Sequence, residues 1–211
     1  MIQFTQPTKL TVEDALELLR WNREEVEKDS EAALIHAIEY EYEGRTITLD
    51  VLGYDIDAPG TVTVQMHYTT DEDYQFTNEA SWKSGKKNNI WRTSSIRKEL
   101  NSEGFINRYF AGLDDVLVEV EKTNEGDEVT CDKVFLLSVK EMKDSLYPFF
   151  QTQKAWAKTD TKGMAQYCWA RSAYLGAASY VWLVLSGGNV NYYYASYGFR
   201  CAPACVIGLN Q

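Results

Sequence analysis

The sequence predicts an α+β domain built on antiparallel sheets with two or more flanking helices. Three observations carry that reading. A capped amphipathic helix opens the chain, runs of alternating apolar and polar residues joined by tight-turn residues follow, and the last forty residues alternate again around glycine turns. At 211 residues, 45% hydrophobic and 25% charged, the chain has the size and balance of one globular core with a small addition.

The elements follow in order. Thr11-Val-Glu-Asp14 has capping-box spacing, and Val12, Ala15, Leu16, Leu19 and Val26 share one helical face up to about Glu27. Ala32 to Ile38 reads as a short helix or the lead into a strand. A hairpin comes next, with arms Ile38 to Tyr42 and Thr46 to Leu52 around the turn Glu43-Gly44. Thr61 to Tyr68 reads as a third strand, and Asp71 to Asn89, polar and broken by Gly85, as a long loop. One of Thr93, Ser94 or Ser95 caps a helix with Ile96 and Leu100 on its apolar side, and Phe105 to Phe110 continues helically. Val116 to Val120 and Lys133 to Leu137 are expected as strands flanking the acidic turn Asn124 to Asp127. Ser138-Val-Lys-Glu141 is a second capping box. The tail predicts strands at Tyr180 to Ser186, Asn189 to Tyr194 and Phe199 to Ile207, with turns at Gly187-Gly188 and Gly198.

Composition excludes several function classes. The net charge is −10, which argues against a nucleic-acid partner, because that binding rests on Lys and Arg neutralising phosphates. No apolar run approaches the ~20 residues that span a bilayer. The start of the sequence lacks a basic patch followed by an apolar stretch, so no secretory signal is read. Synthesis in the cytoplasm is expected, with display on a virion or cell surface left open. His36 and His67 are the only histidines and have no ligand-spaced partner, so neither a metal site nor a Ser-His-Asp arrangement is expected. Asn124 to Glu128 lacks the ligand alternation of a calcium loop. Lys83 to Lys87 lacks phosphate-loop spacing. The four cysteines suggest no disulfide framework. If Cys201 and Cys205 share a strand, ~13 Å separates them, beyond the ~7 Å reach of a bridge.

The tail carries the functional signal. Six of the fourteen tyrosines lie between Tyr174 and Tyr197, mixed with Ser, Asn, Gly and Ala. No acidic residue follows Asp160. This is the palette of an antibody paratope, in which Tyr supplies rigid contact area and Ser, Gly and Asn supply adaptable hydrogen bonds. A tyrosine cluster also serves as core packing, but Tyr192, Tyr193 and Tyr194 are consecutive and cannot all face one side of a strand. If Trp182 and Val184 point inward, then Val181, Leu183 and Leu185 point outward; if Val190 points inward, Asn189, Asn191 and Tyr193 face out.

The order of motifs supports a specific resemblance. It runs from the Glu43-Gly44 hairpin through Trp91 to Asn101, Asp132 to Met142 and Trp169-Ala-Arg-Ser172, and ends on Gly188-Asn-Val190 and Cys201-Ala-Pro-Ala-Cys-Val-Ile207. Over roughly residues 40 to 208 the chain resembles bacterial and phage domains of the C-type lectin fold related to formylglycine-generating enzymes. The tail resembles the variable region of proteins diversified by retroelements. The resemblance implies a helical elaboration at 1–38, a C-type lectin-type ligand-binding domain at 39–211 and a variable region at about 169–207. It implies a scaffold of Trp169, Trp182, Val184, Gly187, Gly188, Val190, Gly198, Ala202 and Pro203. The implied ligand-binding positions are Ala173, Tyr174, Leu175, Tyr180, Leu183, Leu185, Asn191, Tyr192, Tyr193, Tyr194, Ser196, Tyr197 and Phe199, to which strand alternation adds Asn189. Many relatives carry Leu where Ala170 stands.

The expected activity is therefore recognition of a protein or cell-surface ligand, without catalysis, metal or cofactor, and without membrane insertion; a monomer is favoured. Two other classes compete. Formylglycine-generating relatives bind copper through paired thiols, a role for which Cys201 and Cys205 are candidates, and soft thiolates do suit Cu(I); Cys is also often a small buried hydrophobe. A structural subunit of a phage tail or cell-surface assembly would pack the tail permanently against a partner. Arg171 and Arg200 are expected to pair with scaffold carboxylates or carbonyls.

Overall fold

Thr11 caps the first helix, α1 (Val12–Lys28): its hydroxyl accepts from the Asp14 amide while the Asp14 carboxylate accepts from the Thr11 amide. The helix buries Ala15, Leu16, Leu19 and Asn22. The computed structural model describes residues 9–29, 35–78 and 86–210. Residues 32–34 of the ambiguous segment and 83–85 of the lysine loop lie outside the described residues; Ala37 already belongs to the first strand.

After α1 come β1 (Ala37–Tyr42), β2 (Arg45–Tyr54), β3 (Thr61–Met66) and β4 (Tyr74–Gln75), then α2 (Ser95–Leu100) and α3 (Glu103–Tyr109). Next are β5 (Leu117–Val118), β6 (Val120–Lys122), β7 (Thr130–Asp132), β8 (Val134–Phe135) and α4 (Val139–Lys143). The tail holds β9 (Lys158–Thr159), β10 (Ala165–Gln166), β11 (Cys168–Ala173), β12 (Tyr180–Val184), β13 (Val190–Tyr194), β14 (Gly198–Phe199) and β15 (Ala204–Gly208). Every strand pair between these elements is antiparallel. The molecule is thus α+β, with several antiparallel sheets and four α-helices among the described residues. None of those helices is long and apolar enough to cross a membrane.

The main sheet runs β1-β2-β3-β15-β5, with β8 also pairing β15. The two-residue turn between β1 and β2 places Glu43 at φ 49° and Gly44 at φ 76°, the double left-handed conformation that matches strand twist in a hairpin. The C-terminal strand β15 is central, and Ala204, Cys205, Val206 and Ile207 are all fully buried. A strand covered on both faces reads as an unbroken apolar run, which explains Ala202 to Ile207. The expected single strand from Phe199 to Ile207 is instead two. Pro203, which has no N–H to donate, lies between them, and its carbonyl accepts from the Met66 amide.

The second sheet is three-stranded, β11-β12-β13. Two buried ionic clusters anchor the segments around it. Arg171 on β11 makes a two-pronged contact with Glu141 on α4, at 2.6 and 2.8 Å. It also donates to the carbonyls of Leu136 and Thr123 and to Asn124 Oδ1. Lys122 joins this cluster through Glu141 at 3.5 Å, donates also to Asp57 and Tyr147 and sits 3.8 Å above the Phe135 ring. In the second, Asp132 accepts from Arg97, Trp91 and Thr130. Arg200 pairs with Asp73 and donates to the Thr70 carbonyl, so both tail arginines serve the scaffold. Asn124 spends its amide on the Lys122 and Glu128 carbonyls, making the acidic segment a structural turn between β6 and β7.

The helix α1 shares the core with the sheets, and its Arg20 donates to the Leu209 carbonyl near the other end of the chain. Residues 9–29 are therefore packed into the domain body. All four cysteines are free thiols; Cys131 is exposed and the other three are buried.

Candidate binding surface

Five aromatic rings meet on one face of the three-stranded sheet. Register pairs Tyr180 with Tyr194 and Trp182 with Tyr192 across β12 and β13, so all four side chains project to the same side. Tyr174, in the turn after β11, completes the group by stacking on Tyr192 with ring centroids 4.0 Å apart. Tyr180 lies 4.3 Å from Tyr194 and meets Tyr192 edge-on at 5.4 Å. Trp182 meets Tyr174 and Tyr192 edge-on at 5.4 and 5.6 Å. Mixed stacked and edge-on geometry is the arrangement that ring quadrupoles favour, so the layer orders itself. Leu175, 71% exposed, projects from the same turn.

This face is uncharged at neutral pH. The hydroxyl of Tyr194 beside Tyr180 pushes that phenol up to about 12, and the Tyr192 hydroxyl likewise raises Tyr174. The ammonium of Lys143 lies 5.8 Å from the Trp182 ring centre.

The opposite side of β13 carries Tyr193, which meets Tyr197 at 4.8 Å and Phe199 at 5.3 Å. Phe199 in turn meets Trp169 at 5.0 Å. Tyr197 also lies 5.9 Å from Tyr194, so aromatic surface continues around the edge of the sheet.

The turn bearing Tyr174 is held by a buried side chain. Asn89 Nδ2 donates to the carbonyls of Tyr174, Ala177 and Tyr180 at 3.1, 3.1 and 2.9 Å. A cleft of about 200 Å³ opens beside this turn, with Glu125, Tyr174 and Leu175 among its walls. The β12–β13 turn rests on the 3-10 helix Gln153–Trp156. Gly188 has φ 86°, and a Cβ there would come within 2.3 Å of the Gln153 carbonyl oxygen. The Gln153 side chain also donates to Asn189 Oδ1 at 2.6 Å.

Tyr174, Leu175, Tyr180, Asn189, Asn191, Tyr192, Tyr193, Tyr194, Ser196, Tyr197 and Phe199 are exposed or half-buried. Two positions are corrections. Leu183, expected outward, is 1% exposed, and Ala173 is 7% exposed. The parity of both strands is the reverse of the expected one: Val181 and Leu183 face the core with Tyr193 and Asn191 beside them, while Trp182, assigned to the interior scaffold, stands in the aromatic layer on the same face as Val190. Leu185 is half-buried and packs against the core rather than standing free. The run Val181 to Leu185 is apolar throughout, so alternation alone cannot set its parity. The usable signal was the phenol of Tyr180 and the indole of Trp182, amphipathic groups two residues apart. Asn89 and Lys143 carried no signal, because their contacts bridge distant segments.

Burial pushes the Cys168 thiol up to about 12 and raises Cys201 and Cys205 as well, which opposes thiolate formation. Among the described residues no group of three or more His, Cys, Asp or Glu side chains is gathered to hold a metal.

Fold and surface together define a small α+β domain that presents an aromatic sheet face from a rigid antiparallel frame. The chain belongs to the family described as a domain of unknown function (DUF6273), whose model matches residues 60–209. The match begins just before β3, leaving α1 and the β1–β2 hairpin outside it, although β2 is hydrogen-bonded to β3. No curated protein matches the chain, and neither does any solved structure.

Proposed function

We propose that this protein is a non-enzymatic recognition module with a C-type lectin-like fold, and that its aromatic face binds a protein or cell-surface ligand. The observation that carries the reading is the five-ring layer on one solvent-facing side of β12 and β13, backed by buried Val181 and Leu183. Large exposed aromatic patches on a polar protein mark interaction sites. Rigid rings with few torsions give contact area at low entropic cost.

The docking mode follows from the backbone. Leu185 N–H to Asn189 O and Ala195 N–H to Ser179 O direct the odd-numbered residues of β13 toward β12. The outward-pointing Tyr192 N–H is taken by Asn191 Oδ1, and the Tyr194 carbonyl by the Tyr197 amide. Those bonds blunt the free edge against strand addition. A partner therefore lies face-on against the rings.

The likeness of the tail to retroelement-diversified variable regions fits this division into exposed rings and buried frame. Sequencing the locus in independent isolates tests it. Substitutions concentrated at Tyr174, Tyr180, Tyr192, Tyr193, Tyr194 and Tyr197, sparing Val181 and Leu183, are expected beside a reverse transcriptase and an imperfect repeat differing at adenines. Substitutions spread evenly over surface codons, with no such repeat, overturn the diversification reading.

A further inference from the structure

A cavity of about 20 Å³ lies between β3, the 3-10 helix Gln153–Trp156 and the β11–β12 pair; Gln65, Trp156, Lys158, Cys168, Trp169 and Val184 are among its walls. Two of those walls carry polar atoms shielded from solvent without a protein partner, Gln65 Oε1 and Trp156 Nε1. One is an acceptor and the other a donor. The Gln65 amide is oriented by its nitrogen, which donates to the Ala202 carbonyl at 2.8 Å, so its oxygen is the atom left over. Lys158 donates to Asp50 and to the Met66 carbonyl, using two of its three N–H groups. A buried polar group left unsatisfied costs about 1–3 kcal/mol, so two on residues lining one small cavity require an explanation.

We propose that this cavity is a built site for one structural water, donating to Gln65 Oε1 and accepting from the Trp156 indole N–H, with the third N–H of Lys158 as a further donor. The cavity is large enough to admit a water molecule. The two donors, one of them an ammonium, oppose a metal cation. The three-partner set matches the coordination usual for buried water.

The site has a structural consequence. Water bonded to Gln65 and Trp156 ties the main sheet to the short helix on which Gly188 and Asn189 rest. It is a joint between the central sheet and the support of the β12–β13 hairpin.

Nuclear magnetic resonance on the intact protein tests this. A dipolar cross-peak between water and the Trp156 indole N–H, with the opposite-sign rotating-frame response of a long-lived water, is expected in the wild type. Gln65→Met keeps the side-chain length and removes the acceptor, and the cross-peak is expected to disappear or fall several-fold. A wild type without the dipolar signal overturns the proposal, as does a signal unchanged in a folded Gln65→Met. If Gln65→Met does not fold, the wild-type measurement alone decides the matter.

Discussion

Replacing Glu141 by Gln makes the buried charge cluster measurable through its pH dependence. Burial by itself would raise this carboxyl, but the Arg171 guanidinium and the Lys122 ammonium beside it hold it down at about 2, against an ordinary 4.5. The folded state therefore favours the ionised form. Its contribution is fully present above pH 4.5 and is lost as pH falls through the folded value near 2. The difference corresponds to about 3 kcal/mol at neutral pH, and to roughly two-fifths of that at pH 3. Gln mimics the protonated carboxyl in shape, so the variant lacks the ionised contribution at every pH. Urea unfolding of both proteins from pH 7 to pH 3 is the assay. The deficit of Glu141→Gln is expected to be about 3 kcal/mol at pH 7 and to narrow steadily below pH 4.5. A deficit that stays constant over that range would refute the argument, because the carboxyl would then not be tuned by its cationic neighbours.

Three further outcomes follow from the geometry. Leu183→Ala empties a core position and should cost about 2–5 kcal/mol, lowering Tm by several degrees, whereas Tyr194→Ala should cost roughly 1 kcal/mol; calorimetry giving the reverse order would invert the parity of β12. Asn89→Ala releases three carbonyls of the Tyr174 turn and should cost about 1–3 kcal/mol. Hydrogen exchange at the Tyr174 and Tyr180 amides, which bond across that turn, should quicken while β3 and β15 remain protected. Gly188→Ala combines a left-handed backbone with a clash against the Gln153 carbonyl, and a loss of about 2 kcal/mol or more is expected; chemical denaturation showing no loss would mean the turn can shift away from Gln153.

Local chemistry was legible in the sequence. The capping boxes at Thr11 and Ser138, the cap at Ser94, the Glu43-Gly44 turn and the apolar run of β15 each depend on residues within a few positions of one another. The same holds for the tyrosine-rich composition of the tail, which is read directly from the residues. Strand β11 did not stand out as a strand, because Cys168 to Ala173 is buried at every position and holds Arg171 within it. An arginine there becomes explicable only once Glu141 arrives from α4, 30 residues earlier in the chain.

Tertiary structure alone decided which face of the tail is the surface. From Val181 to Leu185 every residue is apolar, so either parity satisfies the local pattern, and a shift by one residue exchanges the two faces. The register with β13 and the packing of Val181 and Leu183 into the core chose between them, turning Trp182 out among the tyrosines. The sequence determined that the tail is aromatic and nearly uncharged, because side-chain chemistry travels with the residue. The composition and position of the exposed aromatic face followed from contacts between segments far apart in the chain, and no local pattern encodes those.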